Sequence, residues 1–345
     1  MADLSQTDRI TLLGAPGSPY TRKMLAVLRY RRIAYRFLVR GSPQLKDLPA
    51  PKVALLPTFY LPGSGGELEA VTDSTPLIRR LERDHAGRAV LPPDPALAFL
   101  DELIEDYADE WLTKAMFHYR WAYKADIDKA SQILPCWSTY AIPDETLAER
   151  ARTIGDRQIG RLHVVGSNAV TAQVIETHYR RFLEAFEAHL THQPFILGSR
   201  PAACDFAVYG QLTQLVEFDP TPRALAENIA PRVCAWTGLM EDESGLEPAE
   251  DGWIDPAALP ETLLALLAEI GRVYPPVMLA NARAVMSGAG AVEADVDGRR
   301  WTQPPFPYQA KCLQWLRQSY ASLPDSARAE VDPVLKSSGC DALFT

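Results

Sequence analysis

Leu91-Pro92-Pro93-Asp94-Pro95 is the stretch that most limits how this chain can fold. Three prolines in four residues continue neither a helix nor a strand, so regular structure must stop before them and restart after. The two sides read differently. Before the prolines, short strand and helix signals alternate. Ile10 to Leu13 reads as a strand, Pro19 to Arg31 as a helix and Ala34 to Val39 as a second strand. A loop rich in Pro and Gly runs from Gly41 to Lys52. Two further strands, Thr58 to Leu61 and Leu68 to Val71, flank a Pro62–Gly66 turn, and Ser74 opens a second helix. After the prolines the pattern is helical: Ala96 to Tyr123, Thr171 to Leu190, Asp205 to Val216, Thr221 to Asn228, Pro260 to Ala284 and Tyr308 to Tyr320. Less regular stretches lie at about 126–170 and 240–259. The expected organisation is a small α+β unit over 1–90, a linker over 91–96 and an all-helical unit over 97–345. The helical unit carries an insert (about 126–170) and a C-terminal extension (about 241–345).

The totals narrow the function classes. The chain has 345 residues, room for two domains, and 47% hydrophobic residues, enough for a sizeable core. A net charge of −9 argues against nucleic acid as a partner and against docking on acidic lipid. Asp3 and Asp8 interrupt any signal-peptide pattern, and the most apolar stretch, Leu263 to Ile270, is too short to span a bilayer. The five cysteines, Cys136, Cys204, Cys234, Cys312 and Cys340, form no CxxC pair, which fits reduced thiols in a cytoplasm. No metal is assigned: His178, His189 and His192 lack ligand company.

The richest local signal is Ala15-Pro16-Gly17-Ser18-Pro19-Tyr20-Thr21-Arg22-Lys23, a turn from the first strand into the first helix. Ser18 suits the N-cap and Pro19 the next position, whose N–H would lack a partner in any case. A hydroxyl here also sits at the positive end of a helix dipole. Two readings stay open at this point: Ser18 caps only, or it caps and faces a ligand.

Four segments together carry a resemblance. They are Ser18-Pro19-Tyr20-Thr21-Arg22-Lys23, Leu56-Pro57-Thr58-Phe59, Thr72-Asp73-Ser74-Thr75-Pro76-Leu77-Ile78, and Leu197-Gly198-Ser199-Arg200-Pro201-Ala202-Ala203-Cys204-Asp205-Phe206. In this order the chain resembles the glutathione transferase superfamily, in its bacterial serine-type form with an extended C-terminal helical region. The resemblance implies a thioredoxin-like first domain, an all-α glutathione-transferase-type second domain, glutathione as co-substrate and a homodimer. It implies Ser18 as donor to the glutathione thiol, with Tyr20 and Thr21 as alternatives. Leu56, ahead of a cis Pro57, would pair with the tripeptide backbone. Asp73 would take its ammonium, and Ser74 its γ-glutamyl carboxylate. Two positions depart from the family pattern: Leu55, where a Lys or Gln is frequent, and Ala202, where a hydroxyl is usual.

With no cysteine in the first 135 residues, this domain has no nucleophile of its own for thiol exchange. The activity implied is that of a transferase or lyase in which glutathione attacks a small, apolar electrophile. The aromatic tract Trp111, Met116, Phe117, His118, Tyr119, Trp121 and Tyr123 would form the rim of its acceptor pocket or a dimer interface, while for any single one of them core packing is the stronger expectation. Phe306, Tyr308 and Trp315 are expected to pack the extension onto the body, and Arg22 and Lys23 to be solvated or paired. The alternative function is a non-enzymatic binding or scaffold protein of the same fold.

Overall fold

A computed structural model describes residues 9–345; Asp3 and Asp8 lie outside them. The first unit is built as β1 (Ile10–Leu13), α1 (Pro19–Tyr30), β2 (Tyr35–Leu38), β3 (Thr58–Pro62), β4 (Leu68–Val71) and α2 (Ser74–Asp84). Its sheet has the order β2-β1-β3-β4. β1 runs parallel to β2 and antiparallel to β3, with Leu12 opposite both Phe37 and Phe59. The α1 crossover explains the parallel pair, because strands joined through a helix can return in the same direction. Leu12, Phe59, Met24, Val27, Leu28, Leu77 and Ile78 fill the space between sheet and helices.

The second unit starts at the last proline of the linker. α3 (Pro95–Tyr107) is capped by Asp94, which accepts from the Leu97 N–H at 2.9 Å. A π turn over Ala108–Leu112 joins it to α4 (Thr113–Ala122), so the single long run read from sequence is one rod with a wide turn inside it. The insert folds as a helix pair, α5 (Lys124–Cys136) and α6 (Asp144–Ile159). α7 (Ala172–His189) and α8 (Ala203–Leu212) form the centre. At the start of α8, Asp205 does the work that the missing hydroxyl at Ala202 would share: its Oδ2 accepts from the Ala202 N–H and its Oδ1 from the Ile196 N–H. α9 (Pro220–Ile229) and α10 (Pro231–Leu239) follow.

The extension is α11 (Glu261–Ser287), a hairpin of β5 (Val292–Val296) and β6 (Arg299–Gln303), α12 (Pro307–Ala321) and α13 (Asp325–Ser338). The hairpin is the element that an all-helical reading missed. Val292, Val296, Trp301 and Gln303 alternate inward, and Asp297-Gly298 turns the chain with φ of 54° and 74°. Two successive positive φ values define the tight hairpin turn that Asp-Gly favours. Among the described residues, α11 is the one helix long and apolar enough to cross a membrane by length and composition, and 56% of its most apolar window is buried inside the molecule.

The candidate site at the domain junction

The site is built upward from Lys23. Helical periodicity puts this lysine on the face of α1 that meets the second unit, where it is 1% exposed. Burying an ammonium is tolerable only with opposite charge and hydrogen bonds around it. Here its Nζ donates to Glu105 Oε1 at 2.7 Å, to Asp109 Oδ2 at 2.6 Å and to Ser74 Oγ at 3.2 Å. One cation thereby ties α1, α2 and α3 together. Burial works against the charge of Lys23, but the two carboxylates outweigh it and hold its pKa above the usual value. Burial would likewise raise Glu105, yet Lys23 and Arg79 keep it below the normal carboxylate range. Asp109, with burial first and Glu105 as neighbour, is pushed up to about 6. The expectation for Lys23 allowed a solvated residue; it is instead the buried centre of the junction. Arg22 is paired with Glu241 at the start of the extension.

Beside this triad opens a cavity of about 740 Å³, within the usual range for small-molecule sites. One side is the first unit. Tyr20, Leu56, Pro57, Asp73 and Ser74 all line it, and the Leu56–Pro57 bond is cis. Asp73 has φ of 83°, a left-handed backbone that a non-glycine residue adopts only when its surroundings hold it there. Asp73 occupies the N-cap position of α2 without a side-chain cap bond, and Ser74 is the first helical residue rather than the cap. Their side chains are used elsewhere: Ser74 Oγ accepts from Lys23, and Asp73 Oδ2 accepts from the Tyr308 hydroxyl at 2.7 Å.

Ser18 and Thr21 stand apart from this wall. Ser18 Oγ accepts from the Thr21 N–H at 3.2 Å, a helix cap, and Leu134 of α5 and Trp137 just after it pack over the adjacent Gly17. Thr21 is fully buried, its Oγ1 accepting from the Ala15 N–H. Tyr20 is the hydroxyl from this segment that lines the cavity, and its proton is donated to the Asp109 carbonyl at 2.7 Å. Burial, reinforced by Glu110 and Asp109, keeps Tyr20 protonated far above neutral pH.

The other side belongs to the second unit. Glu102, Glu105, Asp106, Asp109 and Glu110 face the cavity from α3 and the π turn, and the insert adds Arg161, Val164 and Val165. The extension completes it through Phe306, Tyr308, Gln309, Cys312 and Trp315. Phe306, Tyr308 and Trp315 therefore form the cavity wall in addition to packing the extension. Of the aromatic tract expected to form an acceptor pocket, Phe117 lines the cavity, whereas Trp111, Met116, Tyr119 and Trp121 are core. His178 belongs to that core as well: it accepts from Trp111 Nε1 at 3.0 Å, and burial lowers its pKa to about 3.

Cys312 supplies the thiol that the first unit lacks, brought in from the opposite end of the chain. Burial and the surrounding Glu110 and Asp106 raise its pKa strongly, so it stays a thiol rather than a thiolate. Among the described residues no group of three or more His, Cys, Asp or Glu side chains is arranged to hold a metal ion.

Two family models match the sequence in the same order as the two units. The glutathione S-transferase N-terminal domain matches residues 12–89, and the glutathione S-transferase C-terminal domain matches residues 148–241. No curated protein matches. Among solved structures, a GST-like protein from Pseudomonas syringae is 17% identical, with a TM-score of 0.43 over 74% of this chain and 82% of that one. A glutathione transferase family member from Pseudomonas fluorescens, with two glutathione bound, is 15% identical, with a TM-score of 0.42 over 77% of this chain and 94% of that one. A glutathione transferase from Pseudomonas putida, with one glutathione disulfide bound per subunit, is 14% identical, with a TM-score of 0.43 over 71% of this chain and 94% of that one.

Proposed function

Because this chain belongs to the glutathione transferase superfamily, we propose that it binds glutathione in the junction cavity and transfers it to a second substrate held by the helical unit. One observation carries the reading: the cis Leu56–Pro57 corner, Asp73 in its left-handed backbone and Ser74 line the same cavity. The tripeptide backbone pairs with Leu56 as an added strand would. Its carboxylate takes the start of α2 at Ser74, where helix N–H groups favour an anion. Its ammonium takes Asp73.

The thiol donor in this reading is Ser18, which does not line the cavity, so the tripeptide's sulfur has to reach beyond the wall to meet it. Tyr20 has given its proton to the Asp109 carbonyl, whereas Ser18 uses only its oxygen, accepting from Thr21. A donor aimed at the sulfur favours the thiolate over the free thiol, whose pKa is about 8.5. Titration calorimetry of the full chain with glutathione tests the binding; no heat at millimolar ligand sinks it. Ser18→Ala is expected to lower kcat/KM for conjugation of chlorodinitrobenzene by about tenfold or more with glutathione affinity kept. Tyr20→Phe is expected to change it less.

A second reading has its own observation. Ser18 lies outside the cavity wall, with Trp137 packed over its neighbour Gly17. A protein that binds glutathione without activating it would show the same binding heat, no conjugation, and no effect of Ser18→Ala.

A further inference from the structure

Tyr308 reaches Asp73 from the far end of the chain. It stands in the first turn of α12, where Pro307 is the first helical residue and Phe306 the N-cap. That helix start is pinned at two places. Asn281 of α11, fully buried, accepts from the Phe306 N–H at 2.7 Å and donates its Nδ2 to the Phe306 carbonyl at 2.9 Å. Gln309 donates its Nε2 to the Glu110 carbonyl at 3.1 Å. The Tyr308 ring packs against those of Phe306 and Trp315, with centroids 6.3 and 6.1 Å away. Backbone and ring are thus both held, and the hydroxyl meets Asp73 Oδ2 at 2.7 Å. Burial and the Asp73 carboxylate keep this phenol protonated far above neutral pH, so it is a standing donor. The glutathione S-transferase C-terminal match ends at residue 241, so the contact is one that the extension adds.

Asp73 has two oxygens, and Tyr308 takes one. Oδ1 makes no hydrogen bond among the described residues, and it is not among the buried atoms that lack a partner, so it is open to solvent. Lys23, the cation of the junction, pairs with Glu105 and Asp109 rather than with Asp73. A neutral hydroxyl fixes the direction of a carboxylate and leaves its charge in place, which a paired cation would not. The left-handed backbone of Asp73, with φ of 83°, also needs its surroundings to hold it, and Tyr308 is one of them.

We propose that Tyr308 is a positioning residue of the tripeptide site: by holding Asp73 Oδ2 it aims Oδ1 at the γ-glutamyl ammonium. The C-terminal extension thereby sets how strongly the site selects a free amino group. The proposal rests on the glutathione reading for the identity of the ligand.

The test titrates the full chain with glutathione and with glutaryl-cysteinylglycine, which lacks only the amino group. The unaltered protein is expected to bind glutathione about tenfold or more tighter than the analogue. Tyr308→Phe is expected to narrow that preference to about threefold or less, by weakening glutathione while the analogue binds as before. In an Asp73→Asn background, Tyr308→Phe is expected to change neither affinity, because its partner is already altered. Equal affinities in the unaltered protein overturn the proposal, and that comparison needs no variant to fold. A preference that survives Tyr308→Phe overturns it, as does an equal loss of both ligands, which would mean that the ring only packs. Tighter glutathione binding by Tyr308→Phe also overturns it, because the hydroxyl would then be competing with the ammonium. No heat from either peptide in the unaltered protein removes the glutathione reading and this proposal together, whereas glutathione heat with a preference indifferent to Tyr308 removes this proposal alone.

Discussion

A carboxyl group packed out of water keeps its proton longer, and Glu110 is in that position near neutral pH. Its pKa rises from 4.5 to about 7, through burial first and Asp109 beside it, with Gln309 alongside lowering it only in part. The sign follows from proton counting. Between about pH 4.5 and 7 the folded state holds a proton that the unfolded chain has already lost, so stability falls as pH rises through that window. Lys114, lowered to about 8 by burial, acts in a separate window: above about pH 8 the unfolded chain holds the extra proton, and stability rises again. Glu110→Gln is expected to flatten the first window by about 2–3 kcal/mol, read from urea midpoints between pH 5 and 8. Residues of the first unit were legible because local motifs mark them: Leu56, Pro57, Asp73 and Ser74 sit in short patterns within one small sheet-and-helix unit. Tyr308, Gln309 and Cys312 were not, because each reaches the site by the docking of a helix more than 200 residues further along, which no local pattern encodes.

Among the elements, the strong helices declared themselves by apolar periodicity, and α7 is the plainest case, with Val174, Ile175, Phe182 and Phe186 buried on one stripe. The π turn did not. It takes the same residues as an ordinary helix and differs only in how the backbone is wound, yet it sets where Asp109 and Glu110 face. The β5–β6 hairpin had a sequence signal in Asp297-Gly298 between alternating residues, and the surrounding helical run obscured it. α13 shows how closely such elements are fitted. A Cβ placed on Gly271 of α11 would stand 1.8 Å from the Ser338 carbonyl oxygen at the end of α13. The obstacle is backbone, so the helices must separate. Gly271→Ala is expected to cost about 1–3 kcal/mol and to lower the thermal midpoint by several degrees in calorimetry, despite alanine's better helix propensity.

At the scale of the whole molecule, the proline linker divides the chain by pattern, but it does not divide it by interaction. Lys23 of the first unit finds both of its carboxylates in the second. Buried Arg120 of α4 pairs with Asp219 at 2.9 Å and donates to the Gly17 carbonyl, a second tie of the same kind. Removing one partner of a buried pair leaves the others uncompensated. Lys23→Met is therefore expected to cost about 3–5 kcal/mol at pH 8, measured by denaturant unfolding. Without the ammonium, Glu105 and Asp109 would take up protons more readily in the folded state, so the loss should shrink toward pH 5.

That tie also has a meaning in time. Synthesis proceeds from the N-terminus, and domains tend to fold as they emerge. The first ninety residues can assemble their sheet while the ribosome is still working, but the face of α1 that carries Lys23 then stays open to water until residues 105 and 109 follow. The cavity closes later still, when α12 arrives with Tyr308. The chain thus has a built-in sequence of completion, in which the unit that carries the recognition motifs is the first to form and the last to become a site.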